Sequence, residues 1–471
     1  MRRQLPRGAS LLLAALLAAS ASLPSAAPLE ITAIQNGADG VTLTWADAAT
    51  NRAYTVQTWD GYGAPFWIAP RINLPWPLTD SFWLDTQHQE SGRRFYRVAA
   101  VPQAQRGLLL SRVSVASYSQ FYLNFMLSLL GLTNTVNCDV QVWKLDYETI
   151  DPLGGSTWAS GALALPQGVT NPLPLLSYQH GTVAKKSEAP SGPSSEEQFF
   201  GAVLAGFGYA VALPDYLGLG DSLDLQSYHH AASEATAAVD MLRATRAYCA
   251  ANGIALTPQL FLLGYSQGGH ATMALHRELE EYHSGEFTIT ASAPMAGAYD
   301  LSGVTLEDAL SGRPMPNPYY FALLMAGYQS VYHLADSLPD LLAPPYHTLL
   351  PHLLDGQHSG DEINAVLTND VTKILAPACL AALRNDPHAP LRQALYENDL
   401  YRWTPHAPMR MYHCEGDADV LYANSVVAWN SFHARGATQV ELIDPQPTAD
   451  HGGCVIPSLL LAKQWFDSLR Q

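Results

Sequence analysis

Hydrophobic and polar residues alternate in two different rhythms along this chain, and the change falls near residue 105. Before it the period is two. Val41, Leu43 and Trp45 alternate with Thr42 and Thr44, and Tyr54, Val56 and Thr58 repeat the pattern after a turn at 47–52. A last run, 95–98, continues into the apolar 99–101. Such alternation predicts short, half-buried strands, and turn residues at 61–65 and 75–77 separate them. Beyond residue 105 the apolar runs are continuous: 173–178, 209–213, 260–264, 289–294 and 409–414. Amphipathic stretches lie between them. In 234–250, Ala238, Met241, Leu242 and Ala247 share one helical face, with Arg243 and Arg246 directed to water. Parallel strands joined by helices are expected, an α/β architecture preceded by a small all-β unit.

Composition sharpens this picture. The chain has 471 residues, of which 48% are apolar, so more than one domain and a large core are expected. Its first thirty residues differ from the rest. Arg2, Arg3 and Arg7 precede a Leu/Ala run at 11–19, and small residues follow. That order reads as a secretory signal peptide over 1–27, which implies a secreted protein, extracellular or periplasmic. The run is about half the ~20 residues a membrane span needs. The formal net charge of −17 argues against nucleic acid as a partner, since phosphate binding needs a basic surface. Five scattered cysteines (Cys138, Cys249, Cys379, Cys414, Cys454) include no CxxC pair, so a zinc-finger type of metal site is unsupported.

Residues 28–104 hold several strands, one core Trp and a late Tyr. They resemble a fibronectin type III-like sandwich. Trp59, Phe66, Trp67, Trp76, Phe82 and Trp83 crowd this region. They are expected mainly to fill and plug the sandwich, with surface or polymer contact as the functional alternative.

The third apolar run ends in Gly264-Tyr265-Ser266-Gln267-Gly268, followed by Gly269-His270 and a helical stretch at 271–281. This Gly-x-Ser-x-Gly between strand and helix is a nucleophile elbow. Ser266 is the expected nucleophile. A serine hydroxyl attacks only when a base takes its proton and a carboxylate orients that base. In such folds the acid follows the serine in the chain, and the histidine follows the acid. The strand 409–414 opens into Glu415-Gly416-Asp417-Ala418-Asp419-Val420, where Asp417 is the first candidate, Asp419 the second and Glu415 the third. After this turn only His433 and His451 remain. His433 belongs to a predicted helix, 424–435, whereas His451 sits in a loop after the apolar strand 440–443. His451 is the expected base, and Asp450 beside it is read as loop chemistry. Cys414 ends the acid strand and Cys454 follows the base by three residues, so a bridge between them would brace both loops. For the oxyanion, one donor is expected from the backbone N–H of Gln267. The other comes from Gln179-His180-Gly181-Thr182 after the strand 173–178, either Gly181 or Thr182. His180 is expected to brace that loop.

With these residues in hand, 105–471 resembles the α/β-hydrolase superfamily, and within it the secretory lipase branch. The elbow, the segment 208–218 with Asp215 in a structural role, and Gly416-Asp417 with His451-Gly452 carry the likeness. The resemblance implies a mostly parallel sheet flanked by helices, a helical cap at about 302–406 over an acyl pocket, and a small-molecule or lipid ester as substrate. Tyr320, Leu323, Leu324 and Met325 either line that pocket or hold the cap down. No cofactor is expected, because the chain supplies nucleophile, base and oxyanion donors. A serine peptidase of the same fold, or an inactive exported adhesion protein, are the alternatives.

Overall fold

The computed structural model describes residues 29–59, 67–69, 78–86, 93–133 and 135–471. The signal-peptide reading of 1–27, the turns at 61–65 and 75–77, Phe66 and Trp76 lie outside them.

Among the described residues, the N-terminal region forms β1 (Glu30–Gly37), β2 (Gly40–Ala46), β3 (Arg52–Trp59), β4 (Phe82–Asp85) and β5 (Phe95–Pro102). They form two antiparallel sheets, β1-β2-β4 and β3-β5. The sheets share one apolar cluster of Val41, Leu43, Trp45, Tyr54, Val56, Leu78 and Trp83. Trp45 meets Tyr54 across the gap edge-on, at 5.5 Å between ring centres. One expectation is corrected. β3 is buried on both faces from Ala53 to Thr58, although alternation predicted one wet face. Its outer side lies against the turn after Ile150: Gln57 donates to the Leu153 carbonyl at 2.5 Å, and Ala53 packs on Ile150. The aromatics divide. Trp83 is buried, Phe82 is exposed, and Trp59 stacks on Phe95 and meets Trp67 at a tilt near the surface.

The remaining strands are β6 (Leu109–Tyr118), β7 (Val140–Ile150), β8 (Ser156–Pro166), β9 (Leu173–Gln179), β10 (Ala210–Pro214), β11 (Leu256–Tyr265), β12 (Ile289–Met295), β13 (Met409–Tyr412) and β14 (Val440–Ile443). They make one nine-stranded sheet in the order β14-β13-β12-β11-β9-β10-β8-β7-β6. The six strands from β14 to β10 run parallel, and β8, β7 and β6 are added antiparallel. Continuous apolar runs are what such strands need, because both faces are covered by helices. Val211, Leu213, Phe261 and Leu263 face one core beneath the helices Glu196–Gly206 and Val455–Leu469. Ala210, Ala212, Leu260 and Leu262 face the other, beneath Ala231–Ala251 and Gln267–Tyr282.

The helix Ala231–Ala251 is more deeply placed than its pattern suggested. Ala247 is exposed, while Tyr248 and Cys249 on the other side are buried. Arg243 is not a solvated flank; it joins Asp240 and Glu286 at 2.7 and 2.6 Å. Asp240 is buried and also receives Thr149 and Arg106, as an enclosed carboxylate requires.

Between β12 and β13 the chain forms a set of helices, including Tyr319–Tyr332, Tyr346–Leu353, Pro377–Asn385 and Pro390–Glu397, with their own apolar cluster. Leu323, Leu324 and Met325 belong to that cluster. Among the described residues, no helix is long and apolar enough to cross a membrane.

Candidate active site

The parallel strands end along one edge of the sheet, and β11 stops at Tyr265 beside the end of β9. The register pairs Gly264 with Gln179. Residue 266 therefore stands abreast of the loop that follows β9. Ser266 takes φ 60° and ψ −120°, then the helix Gln267–Tyr282 begins. A non-glycine residue in that region costs on the order of 1–3 kcal/mol and persists only where its surroundings over-determine it. Two glycines supply the room. A Cβ on Gly268 would lie 2.0 Å from the Gln179 carbonyl oxygen, and one on Gly264 would lie 2.4 Å from that of Gly268.

Three side chains from distant parts of the chain meet at this elbow. His451 Nε2 lies 2.9 Å from Ser266 Oγ, and its Nδ1 lies 2.5 Å from Asp417 Oδ2. All three residues are buried. Tyr265 donates its hydroxyl to the His451 carbonyl at 2.7 Å, which fixes the His451 loop. Asp417 follows β13 in a tight turn, where its Oδ1 accepts the N–H groups of Asp419 and Val420, each at 2.9 Å. The other acids of the turn lie elsewhere. Asp419 accepts from Asn317 at 3.2 Å, and Glu415 is exposed. His433 lies exposed on its helix, and the Asp450 carboxylate accepts the Gly453 N–H at 2.8 Å within the loop.

A disulfide joins Cys414 to Cys454, with 6.0 Å between their Cα atoms. It ties the Asp417 turn to the start of the last helix, three residues past His451. Cys138, Cys249 and Cys379 are free thiols.

Sequence reasoning did not find the second histidine on Asp417. His413 is fully buried, with Nε2 3.2 Å from Asp417 Oδ2 and 2.9 Å from the Val420 carbonyl, and Nδ1 2.7 Å from Ser425 Oγ. Burial works against the charge of Asp417. Hydrogen bonds from His413 and His451 outweigh it and hold the carboxyl well below the usual range. Its position at the end of β13, one residue before Cys414, was the available signal.

The loop after β9 distinguishes the two alternatives, Gly181 and Thr182. The N–H of Gly181 is already given to Glu197 Oε1, at 3.1 Å, and Glu197 is held in turn by the Tyr178 hydroxyl. An N–H so engaged is not free to receive an oxyanion, so Gly181 is set aside. Thr182, next in the loop, is clamped through its side chain, with Oγ1 2.8 Å from the buried Tyr228 hydroxyl. Gln267 opens the elbow helix, where a backbone N–H has no carbonyl one turn back to bond. His180 reaches the Asp215 carbonyl with Nε2 at 3.1 Å, and Asp215 itself is enclosed by Ser160 and Ser191. Both serve the loop's shape. A cavity of about 180 Å³ lies between the segments that follow β9 and β10 and the helices that follow β12, lined by Ala184, Gln226, Leu323 and Leu354 among others.

Among the described residues, His229, Glu234 and His270 bring possible metal-ligating atoms within 4.8 Å of one another. Both His270 nitrogens and both Glu234 oxygens are already engaged in hydrogen bonds, and the buried His229 Nδ1 has no partner. Burial and the neighbouring His270 push His229 well below the usual imidazole range. The group is a hydrogen-bonded cluster more than a cation cage.

Residues 194–299 match the family model described as Secretory lipase. The solved structure of the rice cell wall degrading esterase LipA from Xanthomonas oryzae is 30% identical, with a TM-score of 0.71; the match covers 78% of this chain and all of that one. A putative hydrolase from Legionella pneumophila is 28% identical over 77% of this chain and 98% of its own, with a TM-score of 0.72. Lipase A of Candida antarctica, 17% identical, shares the fold, with a TM-score of 0.56 over 78% of this chain and 83% of its own. No curated protein matches the chain. LipA is an esterase by its printed description, and the matched family model is one of lipases. The chain belongs to the lipase and esterase family of the α/β-hydrolases and is a hydrolase acting on esters.

Proposed function

We propose that the chain is an exported serine esterase or lipase, in which Ser266, His451 and Asp417 form a catalytic triad and the ester is cleaved through an acyl-enzyme. The observation that carries this reading is the unbroken row of contacts from Ser266 Oγ through the His451 ring to Asp417 Oδ2. Asp417 fixes the tautomer of His451, so that Nε2 is the nitrogen free to take the serine proton. The serine oxygen then attacks the ester carbonyl. The N–H groups of Gln267 and Thr182 receive the negative charge that develops on the carbonyl oxygen. His451 returns the proton to the departing alcohol. A water, deprotonated by the same nitrogen, releases the acid and restores the serine. Asp419 remains outside this relay, at the rim of the site.

Export is supported by the family description and by the amino-terminal composition. The β1–β5 region is proposed as a fibronectin type III-like module. The exposed Phe82 and the surface cluster of Trp59, Trp67 and Phe95 are candidates for contact with a polymer. A cell-wall-associated ester would suit both. The direct test replaces Ser266 with Ala. Hydrolysis of p-nitrophenyl esters is expected to disappear while circular dichroism and the unfolding transition stay as in the wild type. Retained turnover would mean that another group performs the attack.

A further inference from the structure

The first turn of the elbow helix is tied down by a carboxylate that belongs to another helix. Glu234 lies in the first turn of Ala231–Ala251, with its side chain 2% exposed. Its Oε1 accepts the side-chain N–H of Gln267 at 2.9 Å, and its Oε2 faces His270 Nδ1 at 2.7 Å. The other ring nitrogen, Nε2, lies 3.2 Å from the carbonyl oxygen of Asn398. A carbonyl only accepts, so Nε2 carries a proton. Nδ1 faces a carboxylate oxygen, so a second proton lies between ring and carboxylate. The pair is therefore neutral as a whole, and no uncompensated charge is buried next to the nucleophile. Asn398 is equally fixed. Its side chain accepts from the Ala231 N–H and donates to the Tyr332 hydroxyl and the Ala394 carbonyl, each at 2.8 Å.

This clamp grips residues 267 and 270, immediately after the strained Ser266. The direction of the Gln267 N–H follows from the torsions of Ser266 and from whatever holds the two side chains beyond it. Within the described residues, the Gln267 side-chain Nε2–H and the His270 Nδ1 both end on Glu234. We propose that Glu234, with His270 as its partner, is a positioning residue that aims the Gln267 backbone N–H at the oxyanion. It touches neither substrate nor the reacting atoms. The proposal rests on the reading of Ser266 as nucleophile given above, and it goes beyond that reading by naming what keeps the oxyanion donor in place.

The test uses the full chain and two variants that preserve side-chain volume, Glu234→Gln and Gln267→Met. The second keeps the backbone N–H and leaves the Glu234–His270 pair intact. For each, kcat and KM are measured on p-nitrophenyl butyrate, together with inhibition by an alkyl boronic acid whose tetrahedral adduct presents an oxygen to the same donors. Rates are normalised to active sites counted with a fluorophosphonate. Misplacing a donor by about 1 Å costs on the order of 100-fold, and deleting one about 100- to 1,000-fold. Glu234→Gln is accordingly expected to lower kcat by about 10- to 100-fold, with KM within about threefold and boronate affinity reduced in step with kcat. Gln267→Met is expected to lose about 3- to 10-fold in the same pattern, and it carries the test alone if Glu234→Gln does not fold. The proposal is overturned if both variants keep kcat per active site within about twofold. It is equally overturned if their losses appear in KM alone, or leave boronate affinity unchanged. A failure of the nucleophile assignment would look different: the fluorophosphonate would not count sites in the wild type.

Discussion

The two loops that carry Asp417 and His451 are joined covalently, and removing that joint gives a quantitative prediction. Cys414 and Cys454 are both fully buried and lie 40 residues apart in the chain. Closing a loop of that length in the unfolded state removes entropy worth about 4 kcal/mol at 25 °C in the chain-entropy treatment. Cys414→Ala/Cys454→Ala should therefore lose roughly 2–4 kcal/mol in equilibrium urea unfolding, against the 5–15 kcal/mol that a typical protein possesses. A kinetic effect should accompany it. Asp417 and His451 sit three residues to the near side of each half-cystine, and their 2.5 Å contact depends on the two loops staying in register. The Tyr265 bond to the His451 carbonyl does not involve either cysteine, so the His451 loop keeps one anchor in the variant. The expected result is a fall in kcat of about 10-fold or more, with KM little changed, at a temperature where the variant is fully folded. A loss below about 1 kcal/mol with an unchanged kcat would refute the reasoning, because packing alone would then hold the loops.

Further predictions follow from single positions. Gly268→Ala places a Cβ 2.0 Å from the Gln179 carbonyl oxygen, which is backbone and cannot turn aside; kcat/KM for a p-nitrophenyl ester should fall at least 100-fold, or the protein should not fold. Asp399 is pushed up to about 6 by burial, against its bonds from Ser302 and the nearby Arg402. Because the folded carboxyl keeps a proton that the unfolded chain has released, stability should fall as pH rises from about 4 to about 6, by at most roughly 3 kcal/mol. Urea unfolding at pH 4 and pH 7 should show that slope in the wild type and a smaller one in Asp399→Asn; equal slopes would contradict it.

The parts of this molecule that could be read from sequence are those fixed by local rules. The elbow announces itself because a Gly-x-Ser-x-Gly is held between an apolar run and a helix, and the glycines are needed where strand and helix nearly touch. Asp417 and His451 followed from chain order and from the exclusion of residues with helical surroundings. What could not be read depends on partners far away in the chain. Gly181 and Thr182 are indistinguishable until Glu197, sixteen residues on, takes the first N–H. His413 is an ordinary strand-end residue until Val420 and Asp417 fold back over it. Glu234 was not singled out in its helical stretch, and it is buried because the elbow helix lies against it. The alternation of β3 failed for a similar reason, since a turn at 151–155 covers the face that solvent would otherwise occupy.

The most direct measurement is covalent labelling with a fluorophosphonate followed by peptide mapping. The account predicts one adduct per chain on Ser266, formed rapidly in the wild type and slowed by at least about 1,000-fold in His451→Asn. An adduct on a different residue, or equal labelling rates in the two proteins, would contradict it.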